Sequence, residues 1–123
     1  MKKVEKMLLL DPLFELKTLS GEPLKDGEKV VTVRDVLCNV LMAGFEDEKN
    51  LPGTKKLERF QLAVKIQKAM LPFPITAEEA ALLKDLTAKG YSALVSGQIW
   101  ELIENLPEEA RALNGEAKDA RVE

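Results

Sequence analysis

Residues 32–44 read TVRDVLCNVLMAG, and this stretch determines how the rest of the chain is arranged. Thr32 is a favourable residue at the start of a helix, and Asp35 follows three residues later, as in a capping box. Apolar residues then recur at spacings of three and four, which places them on one helical face with Leu41 at its edge: Val33, Val36, Leu37 and Val40. Gly44 is suited to end the helix in a left-handed conformation. We therefore expect a helix over 33–44 at the centre of the core.

Three further segments have helical patterns, and their predicted ranges are 55–70, 77–89 and 93–106. Thr54 precedes the first of them as a cap, and Ser92 precedes the last. The sequence TAEE at 76–79 is a full capping box and the strongest local signal in the chain. Gly90 is expected to end the helix that this box begins.

The 55–70 helix has apolar residues on two sides. One side carries Leu57, Phe60, Ala63 and Val64, and the other carries Leu62, Ile66 and Met70. A helix that is apolar on two sides is usually packed between neighbours, so we expect both sides to be covered.

Residues 13–31 predict a β-hairpin in front of the central helix. The alternation in 13–19 indicates a strand, and the stretch at 29–31, which is rich in β-branched residues, indicates its partner. Turn residues separate them at 20–23 and again at Asp26-Gly27. A hairpin alone is only marginally stable, so it must lie on the helices or gain strands from another chain.

The two ends of the chain have weaker patterns. Residues 1–6 are charged and are expected to fray, whereas 7–10 is apolar and predicts an edge strand or a segment packed elsewhere. Residues 107–123 have little apolar surface to bury, which predicts a weakly helical or disordered tail outside a single domain at 1–106. The predicted fold is α+β and mainly α: a compact four-helix domain with a small N-terminal β-hairpin.

The composition argues against several kinds of chemistry. The chain has 123 residues, no histidine, one cysteine (Cys38) and a net charge of −3. Histidine is the commonest general base and metal ligand, and no glycine-rich phosphate loop is present either. We therefore expect no enzyme activity, no cofactor and no zinc site. No apolar run approaches the roughly 18 residues that span a bilayer, and a lone cysteine fits a reducing compartment, so we expect a cytoplasmic protein.

Two features break local rules, and such places are candidates for function. The first is the start of the second helix, where Lys55 and Lys56 are followed by Arg59 one turn later. Cations there oppose the helix dipole by a few tenths to about 1 kcal/mol each. These side chains form either a basic patch for an acidic partner or a phosphate, or a solvated face that pairs with the acidic loop at 46–48.

The fourth helix contains the second feature. Gly97 in a helix interior costs about 1 kcal/mol relative to alanine, and with Ala93 and Ser96 it allows another backbone to approach closely. In that interpretation Tyr91 and Trp100 are the anchors of a partner-binding groove, because aromatic side chains dominate interface energies. The alternative is that Trp100 covers the internal core beside the hairpin.

The order of the elements resembles that of a known group of proteins. The segments SGEPLKDGEKVVTVRDVLCNVLM, KKLERFQLAVKIQKA and ITAEEAALLKDLTAKGYSALVSGQIWELIE together resemble small proteins of tailed-phage and prophage genomes, whose layout is similar to that of tail-assembly chaperones. The resemblance covers about residues 13–106 and assigns no site residue. It implies a non-enzymatic protein-binding role in a bacterial host, with a phage structural protein, a host protein or a second copy as the partner.

Three functions from different classes are open at this level. The first is a protein-interaction or assembly factor, which an exposed apolar groove or an open sheet edge would favour. The second is a phage-encoded inhibitor that docks on a host or anti-phage defence complex, which a face of clustered acidic residues would favour. The third is a small nucleic-acid-binding protein that uses the basic residues of the second helix; the net charge of −3 disfavours it.

Overall fold

A computed structural model describes the backbone of residues 4–112 and the side chains of residues 7–108. Its elements follow in the order β1 (Val4–Leu10), β2 (Lys25–Asp26), β3 (Lys29–Val30), α1 (Val33–Met42), a 3-10 turn (Glu46–Glu48), α2 (Gly53–Lys68), β4 (Phe73–Ile75), α3 (Ala77–Gly90), α4 (Ala93–Glu104) and β5 (Glu108–Ala112). The fold is α+β and mainly α, with four helices and a small hairpin in the described part of the chain. The predicted fold class is confirmed.

Helix α1 lies at the centre of the core, as the sequence predicts. Its capping box is formed, because the Asp35 carboxylate accepts from the Thr32 amide at 3.0 Å and the Thr32 hydroxyl accepts from the Asp35 amide at 3.4 Å. Its buried stripe consists of Val33, Val36, Leu37, Val40 and Leu41. The helix packs against both α2 and α3. It ends at Met42 with an extended Ala43, so the predicted left-handed end at Gly44 is wrong.

The capping box of α3 is confirmed. The Thr76 hydroxyl accepts from the Glu79 amide at 3.0 Å, and the Glu79 carboxylate accepts from the Thr76 amide at 2.9 Å. The predicted end is shifted by one residue, because Gly90 is the last residue of the helix and Tyr91 takes the C-cap position. A Cβ at Gly90 would lie 3.2 Å from the Val40 Cγ1 atom and 3.5 Å from the Phe45 ring, so glycine lets the end of α3 approach α1 closely.

The other two helices are found, with shifted ends. Helix α2 begins at Gly53 after Pro52, so Thr54 lies inside the helix and does not cap it. Ser92 occupies the cap position of α4, but its side chain makes no capping hydrogen bond. Helix α4 packs on α3 through a stripe that includes the buried side chains of Val95, Ile99 and Ile103.

Strand β1 is the middle strand of a three-stranded antiparallel sheet, with the order β4-β1-β5. Leu8 of β1 lies opposite Ile75 on one side and Glu108 on the other. Residues 4–6 therefore belong to a strand, and the prediction that they fray is wrong.

The prediction for the tail is also wrong at residues 108–112, which form a strand and are neither helical nor disordered. The domain consequently extends past its predicted boundary at 106, while 1–3 and 113–123 lie outside the described residues. Backbone hydrogen bonds to β1 hold β5 in place. A prediction based on apolar side chains alone leaves these hydrogen bonds out.

The hairpin is smaller than predicted. Strands β2 and β3 pair across the two-residue turn Gly27-Glu28, and Gly27 has a φ of +68° that favours glycine. Residues 13–19 do not form a continuous strand, because the backbone of this segment forms hydrogen bonds with two different parts of the chain. The Leu16 amide donates to the Val31 carbonyl at 2.9 Å, and the Leu16 carbonyl accepts from the Leu24 amide at 2.9 Å. Leu16 is thereby buried in the core.

Replacing Thr76 with alanine should lower the free energy of unfolding by about 1 kcal/mol, because the cap of α3 is lost. Thr54→Ala is the matched control, since Thr54 is exposed and caps no helix. Urea unfolding of the two variants measures the difference. Equal midpoints for Thr76→Ala and the parent would contradict the capping role.

A chain that ends at Leu106 should be less stable than one that ends at Ala112 by about 2–4 kcal/mol, because it loses β5 and its hydrogen bonds to β1. It also loses the bond in which the Leu9 amide donates to the Pro107 carbonyl at 2.9 Å. Thermal and urea unfolding of both chains would measure this. Identical stability would show that β5 adds nothing to the domain.

Candidate functional site

Helix α2 is covered on only one of its two apolar sides. The side that packs on α1 buries Arg59, Leu62, Ala63 and Ile66. On the other side Leu57 is 54% exposed and Phe60 is 55% exposed. The prediction that both sides of α2 are covered is therefore wrong. Among the described residues Ala63 is buried and Val64 is half-buried, but Leu57 and Phe60 stay more than half exposed, and Met70 beyond the helix is exposed as well.

We call this surface the outer face of α2 and define it by Leu57, Phe60, Val64 and Met42. The three residues of α2 share one side because they are spaced by three and four. Met42, at the end of α1, is 53% exposed and lines the same groove as Phe60. The outer face thus extends from the middle of α2 to the end of α1, where Phe60 and Met42 line one groove.

A groove of about 520 Å³ opens at one end of the outer face, between the end of α1 and α2. Its apolar lining includes Leu41, Met42, Phe45, Leu51 and Phe60, and its charged lining consists of Glu46, Glu48, Lys49, Lys56 and Arg59. An apolar lining with a few polar groups at its margin is typical of a site that receives a side chain or a small ligand.

An ion-pair cluster forms one wall of this groove. The Arg59 guanidinium donates two hydrogen bonds to the Glu48 carboxylate, each 2.8 Å long, and the side chains are only 10% and 16% exposed. Lys89 of α3 lies 3.0 Å from Glu48 and 3.1 Å from Asp47. Its ammonium group also lies 5.2 Å from the centre of the Phe45 ring. These contacts tie the loop after α1 to both α2 and α3.

The cluster keeps its charges at neutral pH. Hydrogen bonds from Arg59 hold the pKa of Glu48 at about 2, and those from Lys89 add to the effect. The bond to Glu48 raises the pKa of both Arg59 and Lys89. Lys89 was missed by sequence reasoning because 41 residues separate it from Glu48, and no local pattern links them.

Of the two interpretations of Lys55, Lys56 and Arg59, a joint basic patch does not form. Arg59 is paired with the acidic loop, which was the alternative interpretation. Lys55 lies 3.7 Å from Glu58, and both side chains are exposed, so this pair adds little stability. Lys56 is exposed at the groove and takes part in no ion pair among the described residues.

The two aromatic residues proposed as anchors, Tyr91 before α4 and Trp100 on α4, contact different helices. The Tyr91 hydroxyl accepts from the Asn39 amide of α1 at 2.9 Å, whereas the Trp100 indole donates to the Lys84 carbonyl of α3 at 3.0 Å. A Cβ at Gly97 would meet no atom within 4 Å, so no described backbone approaches this glycine. Gly97 therefore does not serve as a point of close approach within the described part of the chain.

Gln98 is the residue of α4 that holds the segment before the hairpin. Its side-chain amide accepts from the Lys17 amide at 2.8 Å and donates to the Lys17 carbonyl at 2.8 Å. These two hydrogen bonds satisfy both backbone groups of Lys17, as pairing with a neighbouring strand would. The residues are 81 positions apart, so the sequence contains no signal for this contact.

Cys38 is half-buried between α1 and α2. Its thiol lies 3.6 Å from the Ala63 carbonyl oxygen, to which it can donate, and burial raises its pKa. A thiol with a raised pKa is a poor nucleophile at neutral pH. The position accordingly contributes packing between the two helices.

Among the side chains that the structure describes, no group of three or more acidic, cysteine or histidine residues is placed to hold a metal ion. None of the described helices is long and apolar enough to cross a membrane. Comparison with family models, curated proteins and solved structures finds no match. A functional proposal therefore depends on the geometry of this chain.

The pairing of Glu48 should make stability depend on pH. Its pKa is about 2 in the folded chain against an ordinary 4.5, so the pairing contributes fully above about pH 4.5 and is lost as the pH falls towards 2. Glu48→Gln should therefore lower the free energy of unfolding by about 1–3 kcal/mol at pH 7. As the pH falls from 4.5 to 2, the free energy of unfolding of the variant should decrease less than that of the parent.

Urea unfolding at a series of pH values would measure both effects. Glu101→Gln is the control, because Glu101 is exposed and takes part in no ion pair among the described residues. A Glu48→Gln variant whose stability follows the same pH curve as the parent would contradict the role of this pair.

Proposed function

We propose that this chain is a non-enzymatic protein-binding factor of the assembly type, as its resemblance to phage tail-assembly chaperones suggests. The observation that supports the proposal is the outer face of α2, where Leu57 and Phe60 are each more than half exposed. Large apolar side chains that are contiguous on the surface of a domain commonly mark a site of protein interaction. Burying them against a partner recovers hydrophobic free energy that the chain alone does not obtain.

The form of the surface also supports binding of a protein. The stripe on α2 is a ridge of apolar side chains, and the groove beside Phe60 offers space for a side chain of the partner. A large, partly exposed aromatic residue next to a groove is a typical interface anchor. The wall of the groove is held by the Arg59–Glu48 pair, so the surface is formed before a partner arrives.

The alternative functions have less support. Nucleic-acid binding through the second helix would use Lys55, Lys56 and Arg59, but Arg59 is nearly buried in its ion pair with Glu48. An inhibitor with an acidic docking surface needs unpaired acidic side chains. In the 46–48 loop, Asp47 and Glu48 are paired with Lys89 and Arg59, so this loop gives little support to that role. Both observations favour the interaction module.

The double variant Leu57→Asp/Phe60→Asp should lose its partner and remain folded. Because both side chains are more than half exposed, their replacement should change the free energy of unfolding little. We would capture proteins from a bacterial host lysate on the parent and on the variant and quantify them by mass spectrometry. Urea unfolding would confirm that the variant is folded.

Leu19→Asp is the matched control, because Leu19 is 95% exposed and lies in the turn before the hairpin. The control should capture the same proteins as the parent. A partner that binds equally well to the double variant and to the parent would contradict the role of the outer face.

A further inference from the structure

The charges around the outer face of α2 specify what kind of partner fits it. We infer that this surface binds an amphipathic helix of another protein whose apolar stripe is flanked by aspartate or glutamate. The inference rests on the proposed function and adds the chemistry and the shape of the partner. It follows from three features of α2: its unpaired lysines, its helix dipole and the spacing of its apolar ridge.

The apolar ridge of α2, which consists of Leu57, Phe60 and Val64, has a lysine beside it at each end. Lys56 precedes Phe60 by four residues and Lys68 follows Val64 by four, so each is a neighbour of the ridge on the helix surface. Both lysines and Lys65 are exposed, and none of the three takes part in an ion pair among the described residues. The one acidic residue of α2, Glu58, lies beside Lys55.

The helix dipole favours the same partner. The first turn of α2 contains no acidic residue, and no side chain caps it. The positive end of the dipole therefore coincides with Lys55 and Lys56, which is unfavourable for the free chain. Carboxylates of a partner would relieve this repulsion, and they would be attracted to this end although the chain as a whole has a net charge of −3.

The same charges disfavour a second copy of this chain on the outer face. A two-fold contact between two α2 helices would bring lysines from one copy close to lysines of the other. Like charges across an interface lower affinity and select against that partner. The complementary surface therefore has the opposite charge and comes from a different helix.

The apolar ridge fits a helix better than a strand. Leu57, Phe60 and Val64 have the spacing of a ridge that packs into the groove of another helix. A partner strand would need an open backbone edge, and the backbone groups inside α2 are already paired along the helix. The groove beside Phe60 can receive one apolar side chain from the partner helix.

A display library of amphipathic helical peptides tests this inference directly. The peptides share a helical backbone, and the residues on one face and its flanks are randomised. Selection on the folded parent chain, with counterselection on Leu57→Asp/Phe60→Asp, should enrich apolar residues at spacings of three and four flanked by aspartate or glutamate. The same selection on Lys56→Glu/Lys68→Glu should lose the acidic flanks or favour basic ones.

An enriched acidic peptide then serves as the probe for fluorescence anisotropy. Replacing its flanking glutamates with glutamine should weaken binding to the parent about tenfold, as expected for two or three exposed ion pairs. Phe60→Asp should weaken it by about thirtyfold or more, and Leu19→Asp should leave it unchanged. Added salt should also weaken binding, because the ion pairs are exposed.

Several results would overturn the inference. The first is enrichment of peptides without acidic flanks, and the second is no enrichment over the counterselected variant. The third is a concentration-dependent dimer in sedimentation velocity that Phe60→Asp abolishes. Such a dimer would assign the surface to a second copy of this chain. If capture from lysate still depends on Leu57 and Phe60, the proposed function stands and only the acidic-helix inference fails. If capture does not depend on them, the proposed function fails as well.

Discussion

The buried stripe of α1 is the constraint on which the rest of the structure depends. A helix of ten residues supplies the contact surface for both α2 and α3, and three of its side chains are fully buried: Val33, Val36 and Leu37. It packs against one side of α2, where Leu62, Ala63 and Ile66 are buried. Helix α2, which is apolar on two sides, is therefore left with one side uncovered. The candidate binding surface is thus a geometric consequence of how the core is built.

The ion-pair cluster links that surface to the rest of the domain. Arg59 points from the covered side of α2 to the loop after α1, and Lys89 reaches the same carboxylate from α3. Three segments that are distant in sequence are thereby fixed at one wall of the groove. Because Glu48 stays ionised at neutral pH, it keeps its ion pairs with Arg59 and Lys89 at that pH. A prearranged surface loses less conformational entropy on binding.

Local sequence chemistry predicted the parts of this fold that depend on neighbouring residues. The four helices and both capping boxes follow from apolar spacing and from Thr32 and Thr76, whose partners lie three residues away. The sheet was missed, because the pairing of β5 with β1 depends on backbone groups about a hundred residues apart. Of the candidate site, the sequence singles out Lys56, which lines the groove. The exposure of Phe60 could not be foreseen, since an apolar residue is equally suited to a core and to an interface.

The position of β1 between β4 and β5 has a consequence for how the chain folds as it is synthesised. The first strand has to wait for its two neighbours, since β4 follows it by about 65 residues and β5 by about a hundred. Closing such long loops is slow compared with helix formation. In the meantime Leu8 and Leu10 lie on a strand with unpaired edges, which is the kind of segment that aggregates or recruits a foreign strand. Emergence of residues 108–112 from the ribosome therefore completes the protection of a strand that is synthesised about a hundred residues earlier.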